Sequence, residues 1–137
     1  MEPRRTLLTK FLALLAAGLQ SRPSRAFAPT KSSARILHRQ ALADRFVGLE
    51  ATAVEVTFPP GSASDEHRHP GFVLGYVLEG RLRFAVNGEP ERILGPGETF
   101  YEPAGALHSV SANALADKQT RILAFMVAPA GKPIVER

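Results

Sequence analysis

Residues 74–97, with the sequence LGYVLEGRLRFAVNGEPERILGPG, alternate short apolar runs with turn residues. In the run at 82–86, Leu82, Phe84 and Val86 are spaced two apart, so their side chains share one face of a strand. The pair Asn87-Gly88 is a strong hairpin signal, because both residues tolerate the positive φ of a type I′ turn. This stretch predicts a protein built from short strands.

Two further turns and two further strands extend this pattern along the chain. Gly80 separates the apolar run 74–79 from the run 81–86 and predicts a tight turn between two strands. Residues 95–97, Gly-Pro-Gly, predict another turn, and residues 54–58 and 120–127 have the composition of strands. No long helical period follows the first 26 residues. The pattern therefore favours an all-β antiparallel sandwich or barrel.

The length and charge of the chain restrict its class. With 137 residues, we expect one compact domain. The chain contains no cysteine, which excludes disulfides, thiolate metal sites and a cysteine nucleophile. The formal charge is +4, but residues 1–26 hold five basic residues and one acidic residue, and the remainder holds twelve of each sign. The folded part therefore gives no reason to expect a nucleic-acid partner.

The first 26 residues are arranged like a secretory signal peptide. A basic stretch at 1–10 precedes nine apolar residues at 11–19 and a polar segment that ends in Ala26. A membrane-spanning helix needs about 20 apolar residues, so we expect no stable membrane anchor. Arg4-Arg5 followed by Thr-Leu-Leu resembles a twin-arginine signal, which directs bacterial export of folded proteins. We therefore predict that the mature protein is periplasmic or secreted, with cleavage after Ala26 favoured.

Three histidines form the candidate site. His67 and His69 are two residues apart in a predicted strand, so both imidazoles point to the same face. A third ligand has to come from elsewhere in the fold, and His108 is the candidate. Three neutral imidazoles suit Fe²⁺, Mn²⁺, Ni²⁺, Zn²⁺ or Cu²⁺, so the residue types restrict the metal only weakly.

At these histidines the sequence resembles the cupins, which are small β-barrels of the double-stranded β-helix, or jelly-roll, type. The first cupin motif is matched by Gly61, by His67-Arg-His69 and by Gly80. The second is matched by Gly97, by Pro103-Ala-Gly105 and by His108. The resemblance covers about residues 50–128. Together with the predicted signal peptide at 1–26, it divides the chain into an N-terminal arm at 27–48, a cupin barrel at 49–130 and a C-terminal tail at 131–137.

Two positions depart from the cupin pattern. The glutamate ligand of the first motif would fall at position 73, where this chain has Val73, and the closing asparagine of the second motif is displaced by one residue to Asn113. Without that glutamate, three neutral imidazoles would leave a divalent ion with a charge near +2 and one more open coordination position. The resemblance therefore implies a three-histidine metal site, as in some cupin dioxygenases. We expect the change at Asn113 to affect a loop rather than the site.

Several other residues are weaker candidates. His38 lies outside both motifs, and we expect it at the surface. Asp65 and Glu66, and likewise Glu98 and Glu102, are carboxylates near the motifs, but we expect them to be solvated turn residues. The aromatic residues are expected mostly in the core, although they could line a pocket; they are Phe72, Tyr76, Phe84, Phe100, Tyr101 and Phe125.

The sequence restricts the function of the protein less than it restricts the fold. The resemblance implies a mononuclear metalloenzyme for a small oxygen-bearing substrate, of dioxygenase type first, with isomerase or lyase chemistry also found on cupin barrels. No residue identifies a general base. The alternatives are a non-catalytic module that binds a small ligand or a metal, and a structural cupin without metal. Many small cupins are homodimers, so a homodimer is also expected.

Overall fold

The computed structural model describes residues 31–137. The predicted signal peptide, including its twin-arginine pattern, lies outside the described residues. Nine strands and a short 3₁₀ turn (Asp44–Phe46) form this part of the chain: β1 (Ser33–Ala41), β2 (Leu49–Phe58), β3 (His67–Arg68), β4 (Phe72–Glu79), β5 (Leu82–Val86), β6 (Arg92–Leu94), β7 (Thr99–Glu102), β8 (Leu107–Asn113) and β9 (Thr120–Pro129). Within residues 31–137, no helix is long and apolar enough to cross a membrane.

The strands form two sheets in which every named pair is antiparallel. One sheet has five strands in the order β1-β2-β9-β4-β7, and the other has four in the order β3-β8-β5-β6. Each sheet combines one pair of consecutive strands, β1-β2 or β5-β6, with strands from distant parts of the chain, as in a double-stranded β-helix. The predicted all-β fold is therefore confirmed.

Alternating side chains of β4 and β5 build the core between the two sheets. Along β4, Val73 and Val77 point inward and are almost fully buried, and Leu82 and Phe84 do the same on β5. The Phe84 ring packs against Phe100 of β7, with ring centroids 4.7 Å apart. Burial of apolar side chains of this size is the main stabilising contribution to such a barrel, at about 1.5–3 kcal/mol each.

Gly75 in the middle of β4 is explained by the Phe100 ring. A Cβ atom at position 75 would lie 1.9 Å from Cζ of Phe100, so only glycine leaves room for the ring. Directly opposite Gly75, Phe100 belongs to β7 and crosses over the β4 backbone. This contact sets the position of β7, the strand that carries Glu102.

The prediction of two strands at 74–79 and 81–86, joined by a tight turn at Gly80, is confirmed. The turn connects β4 to β5, but β4 belongs to the five-stranded sheet and β5 to the four-stranded sheet. The chain therefore crosses from one layer to the other at this turn. The hairpin predicted at Asn87-Gly88 is confirmed, because both residues have positive φ and the flanking strands β5 and β6 are paired.

Four of the six aromatic residues expected in the core or a pocket lie instead on the outer face of the five-stranded sheet. These exposed residues are Phe72, Tyr76, Tyr101 and Phe125. Leu74 lies between Tyr101 and Phe125 in the cross-strand register, and is exposed as well. An apolar strip therefore covers the outer surface of β7, β4 and β9. The strip arises because residues alternate along each strand, so the second face of β4 is apolar like the first.

The predicted N-terminal arm contains a strand. Residues 33–41 form β1, which pairs with β2 at one edge of the five-stranded sheet, and every residue of β1 is exposed. His38 lies on this strand and is exposed, as expected. A register shift between Ile36 and His38 interrupts the pairing. The predicted boundary at residue 49 coincides with the start of β2, the first strand that contributes to the core.

Asn113, the displaced asparagine of the second motif, joins three parts of the fold. Its Nδ2 group donates hydrogen bonds to the carbonyl oxygens of Phe58 (3.1 Å), Pro59 (3.0 Å) and Lys118 (2.7 Å). Its Oδ1 atom accepts from the hydroxyl of Thr120 (2.7 Å). Since Asn113 is buried, these partners depend on it for their hydrogen bonds. Asn113 therefore anchors the ends of β2, β8 and β9.

We expect the substitution Asn113→Ala to lower the free energy of unfolding by about 2–4 kcal/mol, since several buried polar groups would lose their partner. Urea denaturation followed by circular dichroism measures this change. Gln119→Ala is the matched control, because the Gln119 amide bonds only an exposed carboxylate, and a change below about 0.5 kcal/mol is expected there. A loss for Asn113→Ala no larger than that of the control would contradict this role.

Candidate metal centre

The structure brings the three predicted histidines together on the inner surface of the barrel. His67 lies on β3 directly opposite His108 on β8, and His69 follows β3. One ring nitrogen from each histidine can be chosen so that the three atoms lie within 4.8 Å of one another. His108 is buried, packed edge-on against the Phe84 ring at a centroid distance of 5.0 Å, whereas His67 and His69 are half-buried. Three imidazoles at such distances could hold one metal ion.

Backbone carbonyls orient two of the imidazoles. Nδ1 of His67 donates to the carbonyl oxygen of Asp65 (2.7 Å), and Nδ1 of His69 donates to the carbonyl oxygen of Ile134. A carbonyl oxygen can only accept, so Nδ1 carries the proton in each ring and Nε2 presents a lone pair. Burial lowers the pKa of His67 below its ordinary value, which favours the neutral imidazole. Both rings could therefore serve as metal ligands.

The second-motif loop is tied to the strand that carries the first two histidines. The backbone N–H of Gly105 donates to the carbonyl oxygen of His69 (2.9 Å), and the Arg68 guanidinium donates to the carbonyl oxygen of Gly105 (2.6 Å). Gly105 has a φ of 71°, a conformation that favours glycine. Through these two hydrogen bonds, the loop Pro103-Ala-Gly105 before His108 helps to hold β8 in register with β3.

Glu102 was expected to be a solvated turn residue, and this expectation is wrong. Glu102 is only 2% exposed, and its Oε2 atom lies 3.0 Å from Nδ1 of His108 and 3.6 Å from Nε2 of His69. Alternation along β7 was a signal that could have revealed it: Phe100 is an inward residue, and Glu102, two positions later, shares its face. The site therefore contains a carboxylate that sequence reasoning missed.

The other discounted carboxylates lie where they were expected. Asp65 and Glu66 are exposed, and Asp65 lies within 3.2 Å of Lys31. Glu98 is exposed as well, and its side chain accepts a hydrogen bond from the backbone N–H of Gly95 (2.6 Å). Glu98 therefore stabilises the turn before β7 and does not belong to the site.

A cavity of about 310 Å³ opens beside the histidines. Its walls are mainly apolar, formed by residues such as Val54, Phe58 and Met126. The polar side chains at its inner end are His67, His69, Glu102, His108 and Ser111, and charged residues at its mouth are Lys31, Asp65 and Arg137. The volume lies at the lower end of the range for small-molecule pockets. An apolar cavity with polar groups at one end suits a small ligand that has one polar group.

Comparison with known proteins identifies the family. The sequence pattern of the cupin domain matches residues 54–126, which is more than half of the chain. The chain is a cupin. The sequence-based resemblance is therefore confirmed, and the family match includes the strands that carry all three histidines and Glu102.

This cupin is similar to several known proteins. Over 64 residues it is 33% identical to dimethylsulfoniopropionate lyase DddQ from Ruegeria pomeroyi, a match that covers 47% of this cupin and 32% of the lyase. The crystal structure of that lyase superposes with a TM-score of 0.60 at 23% identity, covering 75% of this cupin and 50% of the lyase. By either measure, the chain spans half or less of the length of this relative.

Two further crystal structures cover most of both chains. The TT1209 protein from Thermus thermophilus has a TM-score of 0.58 at 28% identity, covering 74% of this cupin and 87% of that protein. A protein with a double-stranded β-helix domain from Klebsiella pneumoniae has a TM-score of 0.60 at 18% identity, covering 85% of this cupin and 90% of that protein. Together these neighbours show that the fold is the double-stranded β-helix.

The segment around Ile134 should control the affinity of the site for a metal. A chain ended after Pro133 lacks the carbonyl that holds His69, and we expect metal binding to weaken by about 10–100-fold, as for loss of other groups that orient a ligand. Titration with Co²⁺ against a chelator measures the affinity. A chain ended after Val135 is the matched control, since it keeps the Ile134 carbonyl. Equal affinities of the two shortened chains would contradict the orienting role.

Proposed function

We propose that this cupin binds one divalent transition metal through His67, His69 and His108, and that it acts as an enzyme on a small molecule held in the adjacent cavity. The observation that carries the proposal is the convergence of three imidazoles, two of them oriented by backbone carbonyls, beside a mainly apolar cavity. Such a concave site with a few convergent polar groups is typical of small-molecule enzymes.

The donor set fits a metal ion. Among the described residues, both ring nitrogens of His108 and the Oε2 atom of Glu102 are buried without a hydrogen-bond partner. Buried polar atoms without a partner are costly, at about 1–3 kcal/mol each, and a bound cation would satisfy one nitrogen of His108 and the Glu102 oxygen. Nitrogen donors together with one carboxylate are compatible with Fe²⁺, Mn²⁺, Ni²⁺, Zn²⁺ and Cu²⁺, and we propose that the metal is one of these five.

The proposed substrate is a small organic acid with a short apolar body. Its carboxylate would lie at the polar end, where the three histidines meet, and its apolar part would pack against Val54, Phe58 and Met126. When bound, the metal would supply Lewis-acid polarisation of the substrate. The cavity walls would exclude water from the bound molecule, which strengthens electrostatic interactions within the site.

Two reaction classes are compatible with this arrangement. A dioxygenase is the class that the three-histidine set suggested from the sequence. A lyase has additional support, because DddQ, with which this cupin shares 33% identity over 64 residues, is named a lyase of dimethylsulfoniopropionate. A non-catalytic module that binds a small ligand remains the alternative from a different class. Export and a homodimer both stay predictions.

The metal site is tested by elemental analysis of the purified protein. We expect about one transition-metal ion per chain in the wild type and less than a tenth of that in the double variant His67→Ala/His69→Ala, which loses two of the three imidazoles. Circular dichroism of both proteins serves as the control for folding. A folded wild type with no stoichiometric metal, and with no higher affinity for added Zn²⁺ or Fe²⁺ than the variant, would sink the proposal.

The reaction class is tested with the metal-loaded protein and dimethylsulfoniopropionate, followed by a panel of small carboxylic acids. A lyase should turn over its substrate equally with and without O₂. Loss of a proton from the carbon next to the carboxylate to solvent, together with cleavage of the neighbouring C–S bond, would leave an unsaturated acid and release dimethyl sulfide, which is measured in the headspace. A dioxygenase should instead consume O₂ together with the acid. Tight binding of an acid without any turnover, in air or under argon, would favour the non-catalytic module.

A further inference from the structure

The buried carboxylate of Glu102 lies beside the position where the cupin pattern has its glutamate. On β7, Glu102 is directly opposite Val73 of the neighbouring strand β4. Both side chains point to the inner face, and each residue is 2% exposed. Directly opposite residues in an antiparallel pair have Cβ atoms about 4.5–5.5 Å apart. The carboxylate of Glu102 therefore lies one strand away from position 73, on the same face of the same sheet.

The groups around the Glu102 carboxylate would favour a bound cation. Its Oε2 atom has no hydrogen-bond partner among the described residues, and the rings of His69 and His108 lie close to it. Because Nδ1 of His69 donates its proton to the carbonyl oxygen of Ile134, Nε2 of His69 presents a lone pair towards Oε2 at 3.6 Å. A lone pair and an ionised carboxylate oxygen repel each other in a buried site, and a cation bound between them would remove this repulsion.

The distances match those between two ligands of one ion. For metal–ligand bonds near 2.1 Å, two donor atoms at angles of about 90–120° lie roughly 3.0–3.6 Å apart. Oε2 of Glu102 lies 3.0 Å from Nδ1 of His108 and 3.6 Å from Nε2 of His69. The shorter contact nevertheless lacks hydrogen-bond geometry, since both of its atoms are without a hydrogen-bond partner. The 3.0 Å approach of these two atoms is therefore not explained by a hydrogen bond between them.

From these observations we infer that Glu102 is a fourth protein ligand of the metal, in place of the glutamate that position 73 lacks. The inference rests on the proposed function, since it assumes that the three histidines bind a metal. Glu102 would lower the charge of a divalent centre from about +2 to about +1 and would occupy one of the positions that a three-histidine site leaves open. The site would therefore have the cupin donor set of three imidazoles and one carboxylate, supplied by a different strand.

Co²⁺ is the probe that tests this inference, because its visible absorption reports the ligands around the ion. We expect the substitution Glu102→Gln to weaken Co²⁺ binding by at least about 100-fold, since loss of a group that merely orients a ligand costs 10–100-fold. The visible bands of any Co²⁺ that still binds should shift in position and intensity. Glu98→Gln is the matched control, and its affinity and spectrum should equal those of the wild type.

The metal-free protein provides a second measurement with a definite sign. A buried carboxylate that serves only the metal destabilises the empty barrel, so Glu102→Met should raise the melting temperature without metal by at least about 4 °C. If Glu102 instead stabilises the metal-free fold, for example by pairing with a protonated His108, the same variant should have a lower melting temperature than the wild type. The sign therefore distinguishes a ligand from a structural ion pair.

The outcomes separate this inference from the proposed function. If the wild type binds Co²⁺ and Glu102→Gln binds it within about 3-fold with an unchanged spectrum, the role of Glu102 as a ligand is overturned and the three-histidine site stands. A lower melting temperature of metal-free Glu102→Met overturns it too. If the wild type itself binds no Co²⁺, the proposed function fails first, and the inference about Glu102 fails with it.

Discussion

Two hydrogen bonds to backbone carbonyls determine what the centre of this barrel can bind. The carbonyl oxygens of Asp65 and Ile134 accept the Nδ1 protons of His67 and His69, and both rings then present lone pairs to the cavity. His108 and Glu102 add further acceptor atoms within a few ångströms. An apolar barrel with this many acceptors at one end is electrostatically unfavourable when empty, so stability and ligand binding are opposed at this point.

Much of the fold was predictable because it depends on local chemistry. The two-residue alternation of Leu82, Phe84 and Val86 places these side chains on one face in any sheet, and the Asn87-Gly88 turn follows from the conformations that these two residues tolerate. The assignment of strands to sheets was not predictable in this way. At Gly80 the chain changes layers instead of forming a hairpin, and both outcomes begin with the same tight turn.

The candidate site, too, was predictable only where it depends on local sequence. His67 and His69 share a face because of their spacing, and the cupin resemblance added His108. The role of Val73 could not be judged from its own position, because what matters is the residue opposite it on β7. Cross-strand register joins position 73 to position 102, and register is a property of the folded sheet rather than of either segment. The burial of Glu102 was therefore missed, although its alternation with Phe100 indicated an inward side chain.

The hydrogen bond between His69 and Ile134 also bears on the order of assembly. The two residues are 65 positions apart, and the segment that carries Ile134 follows β9, which lies between β2 and β4 in the five-stranded sheet. Contacts of such long sequence separation form late, because loop closure costs entropy before the contact is gained. A nascent chain can expose His67 and His69 as loose ligands, but their oriented form is available only to a completed barrel. The orientation of these two imidazoles is thus a property of the folded barrel rather than of the His67-Arg-His69 segment.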